Sequence, residues 1–525
     1  MNIELYDTTL RDGAQGPGIS FTTEDKLRII KALDDFGIHY IEAGNPGSNP
    51  KDMDLFIKSR ELSLKNSKLC AFGSTCRAGV KAHEDKSLIE VLRAGTDVVT
   101  IFGKSWLLHV EKVIKTTSKE NIRIISDSIK FLKNSVKEVI FDAEHFFDGY
   151  KDNPKYALEI LEKAREAGAD SIILCDTNGG AMVEEIGEIT SIVREKISGK
   201  IGIHCHNDNG LSVASSISAV KNGATQVQGT INGLGERCGN TNLCVIIPNL
   251  QLKLGYNCIS TENLKNLSWL ARFVAEIANE AFDENMPYVG SHAFTHKGGM
   301  HIDAVNKIPS SFEHISPVLV GNERTTLVSE VAGRAALMNM MSQLIPGITK
   351  DSPELKNALD IIKNYENDGY QYENAEASLM LLLLEAVGKR KLFFSVETFK
   401  LILSEPQNNL QNTDGSKPAA LIKVKVDGKE EITAAEGDGP VNALDKALRK
   451  ALITFYPQLS DMKLVDYKVR VLNSTAATAA KVRVIIESSD TARTWRTVGV
   501  STDIIEASWK ALLDSLEYKL SLDLP

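Results

Sequence analysis

The chain has 525 residues, 43% of them apolar and 25% charged, an ordinary globular composition with enough apolar material for about three domains or one large barrel with additions. Its net charge of −9 and pI of about 5.7 disfavour a nucleic-acid partner, whose binders are usually basic. The first residues lack the basic and apolar pattern of a secretory signal, and no run of about 18 apolar residues offers a membrane span. The seven cysteines are odd in number and include no Cys-x-x-Cys pair, which argues against a disulfide framework or a zinc knuckle. A reducing cytosol is the expected compartment.

Short, nearly continuously apolar runs recur through the first half of the chain, at 3–6, 40–43, 69–72, 98–102, 138–141, 172–175, 201–204 and 226–231. Such runs suit strands buried on both faces of a parallel sheet. The segments between them read as helices with marked ends. Thr22 is placed to cap a helix with Asp25 three residues on, Leu27, Ile30 and Leu33 form its apolar face, and Gly37 stops it. Further on, Asn153 is an N-cap with Pro154 at the first helical position; Leu158, Leu161 and Ala164 make the face, and Gly168 ends it. This alternation predicts an α/β fold, a (β/α)8 TIM barrel over 1–260. A doubly wound dinucleotide fold would want Gly-x-Gly-x-x-Gly after the first strand, where this sequence has Asp7-Thr8-Thr9-Leu10-Arg11-Asp12-Gly13.

Residues 261–392 read as mostly helical, with the apolar run 379–384 as a buried helix and a glycine- and histidine-rich loop at 290–301 placed to swing over an active site. From 393 to 525 the texture is α+β. Strand-like runs lie at 394–403, 421–426, 465–472, 481–487 and 494–500, and helices near 440–454 and 503–518. A strand cluster followed by a helix occurs twice, with a period of roughly 65 residues, which marks an internal duplication. The polar stretch 405–417 reads as an exposed loop.

Polar residues gather where the barrel strands end: Asp7, Arg11 and Asp12; Glu42; Asp142 and Glu144; Asp176 and Thr177; His204, His206 and Asp208. The C-terminal ends of barrel strands carry the active site, and so many charges must pair or bind a metal to be buried. In His204-Cys205-His206 the two imidazoles point the same way on an extended strand, so both reach one ion, and Asp12 from a neighbouring strand completes three ligands. The bland alternative is two hydrogen-bonded histidines at a strand end. Asn240 reads either as a carbonyl ligand or as a helix N-cap. Arg11 reads either as a donor to a developing oxyanion or as a structural partner of Glu42 or Asp7. Cys205 and Cys238 read as buried bystanders.

The stretches LYDTTLRDGAQ at 5–15, HCHNDNGLSVASS at 204–216, GTINGLGERCGNTNL at 229–243 and HKGGMHIDAV at 296–305 resemble the family of 2-isopropylmalate, homocitrate and citramalate synthases over nearly the whole chain. IEAGNPGSNPKD, TIFGKSW, HISPVLVGNERTTLVSEVAGRAAL and TAAEGDGPVNALDKALRKAL resemble the bacterial citramalate-forming branch. The resemblance implies a divalent metal (zinc, manganese or magnesium) on Asp12, His204, His206 and Asn240. Arg11, Glu144 and Thr177 contact a 2-oxo acid, and His301 assists acetyl-CoA chemistry. For that branch it implies acetyl-CoA and pyruvate as substrates, feedback by isoleucine through the 393–525 domain, and a homodimer. The same chemistry on 2-oxoisovalerate, giving 2-isopropylmalate, is the nearest rival, and a related metal-dependent lyase a more distant one. Two positions depart from the family pattern: Phe312 stands where related chains usually carry Tyr, and Thr241 where Ala is usual.

Overall fold

The computed structural model describes the chain except for residues 297–298, 327–332, 346, 350, 373, 404–416, 473–479, 491–492 and 524–525. Parts of the motifs at 296–305 and 314–337, and almost all of the loop expected over 405–417, therefore lie outside the described residues. Each apolar run of the first half is a strand: β1 (Glu4–Asp7), β2 (Tyr40–Gly44), β3 (Lys68–Ser74), β4 (Val98–Lys104), β5 (Glu138–Glu144), β6 (Ser171–Asp176), β7 (Lys200–Cys205) and β8 (Gln226–Gly229). The strands are parallel in sequence order, and β1 pairs with β8 to close the barrel.

Successive residues on a strand face opposite sides, and the core divides accordingly. Tyr6, Tyr40, Cys70, Val98, Ile140 and Ile173 pack together as one buried cluster. Their chain neighbours Leu5, Ile41, Ala71, Val99, Val139 and Ile172 join the helices in a second, larger one. Helix Thr23–Phe36 opens with the expected reciprocal capping of Thr22 and Asp25 and ends at Gly37 in the left-handed region. Helix Pro154–Glu166 opens on Asn153, whose side chain accepts from Tyr156 N. Helix Glu376–Ala386 contains the apolar run, with Leu379, Leu381, Leu382 and Leu383 buried. Burying each such side chain stabilises the fold by about 1.5–3 kcal/mol. Among the described residues no helix is long and apolar enough to cross a membrane.

Two compact units result: Met1–Phe294 with His314–Arg324, and Thr295–Glu313 with Thr325–Pro525. The second contains the short parallel pair β9 (Thr295–His296) and β10 (Thr325–Thr326), a group of helices, and the duplicated part. The duplication is more regular than the sequence suggests. Its first half is β11 (Ser395–Ile402), β12 (Ala419–Val426), β13 (Lys429–Glu436) and helix Pro440–Ile453. Its second half is β14 (Lys463–Val471), β15 (Val482–Ser489), β16 (Thr494–Ser501) and helix Ile504–Asp523. Each half is an antiparallel three-stranded sheet. The leading strand bulges near its start in both, between Val396 and Thr398 and between Leu464 and Asp466. The same buried bond ties sheet to helix: Thr433 Oγ1 donates to Ala447 O, and Thr497 Oγ1 to Ala511 O, each at 2.8 Å.

Strand β13 is absent from the sequence reading. It is an edge strand whose only buried residue is Thr433, so Lys429-Glu-Glu-Ile-Thr-Ala-Ala-Glu436 carries no apolar period. The overlooked signal is Asp427-Gly428. Both residues have positive φ, 48° and 84°, the two-residue turn that joins twisted antiparallel strands.

In this unit a cavity of about 550 Å³ is lined by Phe394, Phe399, Trp509, Leu513 and Glu517 among others. Glu517 is buried, its Oε2 has no hydrogen-bond partner among the described residues, and burial pushes its carboxyl up to about 7 from an ordinary 4.5. A carboxyl raised on folding favours the fold while protonated. That contribution is complete below about pH 4.5 and is lost as pH rises through 7. Glu517→Gln removes the charge at constant volume, so the variant should gain stability over the parent between about pH 5 and pH 8. Denaturant midpoints at both pH values measure it, and an equal difference at the two would exclude this titration.

Candidate active site

A cavity of about 450 Å³ opens at the C-terminal ends of the barrel strands. Arg11, Asp12, Glu144, Thr177, His204 and His206 all line it. The loop after β1 is a tight turn in which Asp12 N and Gly13 N both donate to Thr8 O, at 2.9 and 3.0 Å. Asp7 braces it by accepting from Thr9 N at 3.0 Å and the Thr9 hydroxyl at 2.8 Å. That turn occupies the place of a phosphate-binding glycine loop and presents Arg11 and Asp12 to the cavity.

His204 and His206, two apart on the end of β7, bring their Nε2 atoms within 3.4 Å of each other. Both approach Asp12 Oδ2, at 3.4 and 3.9 Å. Gln228 Nε2 donates to Asp142 Oδ1 at 3.2 Å, which turns its Oε1 toward His204 Nδ1 at 2.9 Å. In neutral His204 this network places the proton on Nδ1 and the lone pair on Nε2, toward Asp12. Burial disfavours a charged His204, but Asp12 and Asp142 outweigh it and raise its pKa. Burial and the neighbouring His204 push His206 down to about 3. Burial also opposes charge on Asp12, yet Arg11 and the two histidines hold its carboxyl far below the usual range.

Asn240 bridges His206 through the backbone and spends its side-chain N–H on Leu234 O at 3.1 Å. Its buried Oδ1 and the buried Nδ1 of His206 are left without a partner among the described residues. Asn240 is not the helix cap: helix Leu243–Pro248 is capped by Asn242, which accepts from Cys244 N. The loop leading to Asn240 needs glycine at 239, where φ is +83° and a Cβ would lie 1.9 Å from Gly233 O. Three ligand atoms, one each from Asp12, His204 and His206, lie within 4.8 Å of one another. Together with the orphaned Asn240 oxygen, this donor set fits a divalent cation.

Arg11 makes the ion pair with Glu42 that one of its two readings expects, and it does so at the edge of the cavity. Its Nε meets Glu42 Oε1 at 2.6 Å and its Nη1 meets Asp12 Oδ2 at 3.2 Å, and its guanidinium lies 3.9 Å from the centre of the Phe72 ring. Glu144, at the end of β5, is ion-paired with Lys104 at the end of β4. The hydroxyl of Thr177 accepts from His145 N at 2.9 Å, and its carbonyl accepts from Arg237, which also clasps Asp208 at 2.7 and 3.0 Å. His301 belongs to the other compact unit. It sits on helix Gly299–Lys307 instead of in an open loop, stacked on Phe312 at 4.2 Å. Thr241 uses the hydroxyl that an alanine would lack: it bonds Ser216 Oγ at 2.9 Å and Cys205 O at 3.3 Å. The Cys205 thiol is buried and held well above its usual pKa by that burial, whereas Cys238, expected to be buried too, is exposed on the loop before Asn240.

Sequence reasoning missed Lys104 and Gln228. Lys104 follows the rule that exposed Glu144, a charge at the end of an apolar strand. Gln228 was signalled by the alternation Gln226-Val227-Gln228, which puts two amides on one buried face of the strand.

Comparison with known proteins follows the same divisions. The HMGL-like family matches residues 2–274, the homocitrate synthase post-HMGL domain-like family 288–369, and the LeuA allosteric (dimerisation) domain 373–520. An (R)-citramalate synthase of Aquifex aeolicus is 53% identical over 522 residues, covering 99% of this chain and 98% of that protein. One of Geobacter sulfurreducens is 51% identical over 520 residues, covering 99% and 97%. One of Synechocystis sp. is 48% identical over 526 residues, covering 99% and 96%. By the barrel, the donor set at its mouth and likeness over nearly its whole length, the chain belongs to the HMGL-like family and, within it, to the (R)-citramalate synthases.

Proposed function

We propose that this enzyme joins acetyl-CoA to pyruvate and, with water, releases (R)-citramalate and CoA, as an entry to isoleucine synthesis. The observation that carries the reading is the Asp12, His204 and His206 cluster at the mouth of a small cavity, in a chain so close to (R)-citramalate synthases from end to end. We assign Asp12, His204, His206 and Asn240 as the metal ligands. When bound, a divalent cation supplies a Lewis acid for the keto acid. Two imidazoles with oxygen donors suit zinc or manganese, with magnesium a third candidate.

The protein's own groups do the rest. Arg11 has Nε and Nη1 committed to Glu42 and Asp12, which leaves Nη2 to donate to the oxygen that becomes the alkoxide. Glu144 or His301 takes the proton from the acetyl methyl, whose carbon then bonds to the keto carbon of pyruvate. Thr177 contacts the oxo acid, and water hydrolyses the thioester. Phe72 and Phe102, stacked at 5.5 Å, wall the cavity with stiff apolar surface that suits a methyl better than an isopropyl group. Each extra methylene is worth only about 1–3 kcal/mol, so these rings set a preference. The match to the LeuA allosteric (dimerisation) domain supports feedback control and a homodimer, and isoleucine is the effector expected if the product feeds its synthesis.

CoA release by the metal-replete protein with pyruvate or 2-oxoisovalerate in parallel tests the reading. Pyruvate should be strongly preferred, whereas a preference for 2-oxoisovalerate would move the enzyme to leucine synthesis. Arg11→Lys should lose turnover roughly a hundredfold or more while staying folded, since one oxyanion donor is worth about 3 kcal/mol. Near-normal turnover would remove Arg11 from the mechanism. Isoleucine should inhibit the full chain, and inhibition that survives a cut near residue 392 would locate the effector elsewhere.

A further inference from the structure

The last helix, Ile504–Asp523, carries Trp509, Leu513 and Glu517 four residues apart, so all three lie along one face. A carboxylate on such an apolar stripe is costly to bury without a partner. That face, Phe399 on β11 and Phe394 just before it wall the cavity of about 550 Å³, a size usual for small-molecule pockets. The rings of Phe399 and Trp509 lie against each other, with centres 4.7 Å apart.

Two buried polar atoms of this lining are unanswered. Glu517 is 4% exposed, and its Oε2 and the Nε of Arg390 both lack a hydrogen-bond partner among the described residues. Arg390 spends its other nitrogens on Glu385 at 2.9 Å and Asp514 at 3.4 Å. Asp514 also accepts from the Ser378 hydroxyl at 2.6 Å. Burial pushes the Asp514 carboxyl up, as it does that of Glu517, and both acids thereby favour the neutral form. The counter-charge left to Arg390 is Glu385, which is largely exposed. Glu397, the other carboxylate of the lining, is taken by Lys423 at 2.6 Å. The cavity thus holds a cation with an idle N–H and a carboxyl able to donate, between aromatic walls.

A ligand head that only accepts satisfies both groups at once, whereas an ammonium answers Glu517 and leaves the Arg390 Nε–H unpaired. We propose that this cavity binds an apolar monocarboxylate, its chain among Phe394, Phe399, Trp509 and Leu513 and its two oxygens accepting from Arg390 Nε and from the Glu517 carboxyl. The proposal does not depend on which oxo acid the barrel takes.

The test titrates the full chain with sodium hexanoate in a calorimeter, in phosphate and in Tris, buffers that differ in their heat of protonation. A bound carboxylate raises the Glu517 carboxyl above its free value of about 7, so binding should take up protons and affinity should fall as pH rises from about 7 to about 9. Arg390, Asp514 and Tyr456 are the ionisable groups that face Glu517. Glu517→Gln keeps a donor and cannot titrate, so it should still bind hexanoate but without the proton uptake. Arg390→Lys keeps the charge and loses the Nε donor, and should weaken hexanoate about tenfold. Phe399→Ser, at a wall position partly open to solvent, should weaken it by about as much. Hexanoate bound equally well by the parent, Arg390→Lys and Phe399→Ser would overturn the proposal, as would proton release in place of uptake or no saturable binding at millimolar hexanoate. If Phe399→Ser weakens isoleucine while hexanoate does not bind, the carboxylate assignment falls and the cavity belongs to the amino acid.

Discussion

Glu42 lies inside the barrel with no exposure to solvent, and its charge is answered by two groups. Arg11 Nε meets one oxygen and the Tyr6 hydroxyl donates to the other, both at 2.6 Å, and Tyr6 is held in turn by Thr100 at 2.7 Å. A buried carboxylate with one partner removed costs several kcal/mol, so this anchor fixes Arg11 as firmly as packing fixes a core leucine. From Arg11 the constraint passes to Asp12, from Asp12 to the two histidines, and from His204 through Gln228 to Asp142. The mouth of the barrel is thus one connected set of charges and hydrogen bonds whose members are supplied by β1, β2, β5, β7 and β8. It is also why burial and charge act on the same groups in opposite directions: Asp142 is pushed up to about 7 by burial, while Asp12 is held down by its cationic neighbours.

Closed geometry gives that network its precision. Strands paired on both sides have no free edge to shift along, and the loops at their ends are bound to one another. Arg237 joins the loops after β6, β7 and β8 by bonding Thr177 O and both oxygens of Asp208. The backbone of His145 positions the Thr177 hydroxyl, although His145 itself sits at a positive φ of 56°. Such a residue persists only where its surroundings over-determine it. Here Ser105 donates twice to Glu144 O, and the rings of His109 and His145 lie 4.2 Å apart.

The barrel was legible because most of its strands are buried on both faces and so write a nearly solid apolar run, while the helices write caps and a face. The cluster of site residues was legible for a related reason: a charge at the end of such a run has no structural excuse. What the sequence hid depended on partners far away along the chain. Nothing near Glu144 announces Lys104, nothing near His204 announces Gln228, and Asn240 could be told from a helix cap only once Asn242 was seen in that role. At 290–301 the glycine-rich composition marked turns over 290–294 but not the helix that begins at Gly299 and carries His301. Strand β13 was lost because an edge strand with one buried side chain has no period to read, even though its turn was spelled out.

The duplicated unit keeps its symmetry only where the backbone needs it. The bulge and the buried threonine bond recur in both halves, but the helices differ where they meet the surroundings. Asp445 and Arg449 pair on the first helix, with Arg449 also donating to Met462 O at 2.7 Å, whereas the second helix presents Trp509 and Leu513 to a cavity. The hollow belongs to neither half alone, since Val396 and Phe399 of the first line it together with Trp509 and Leu513 of the second. A space walled by both copies takes its shape from neither alone, so a substitution on the first half's leading strand and one on the second half's helix alter the same interior.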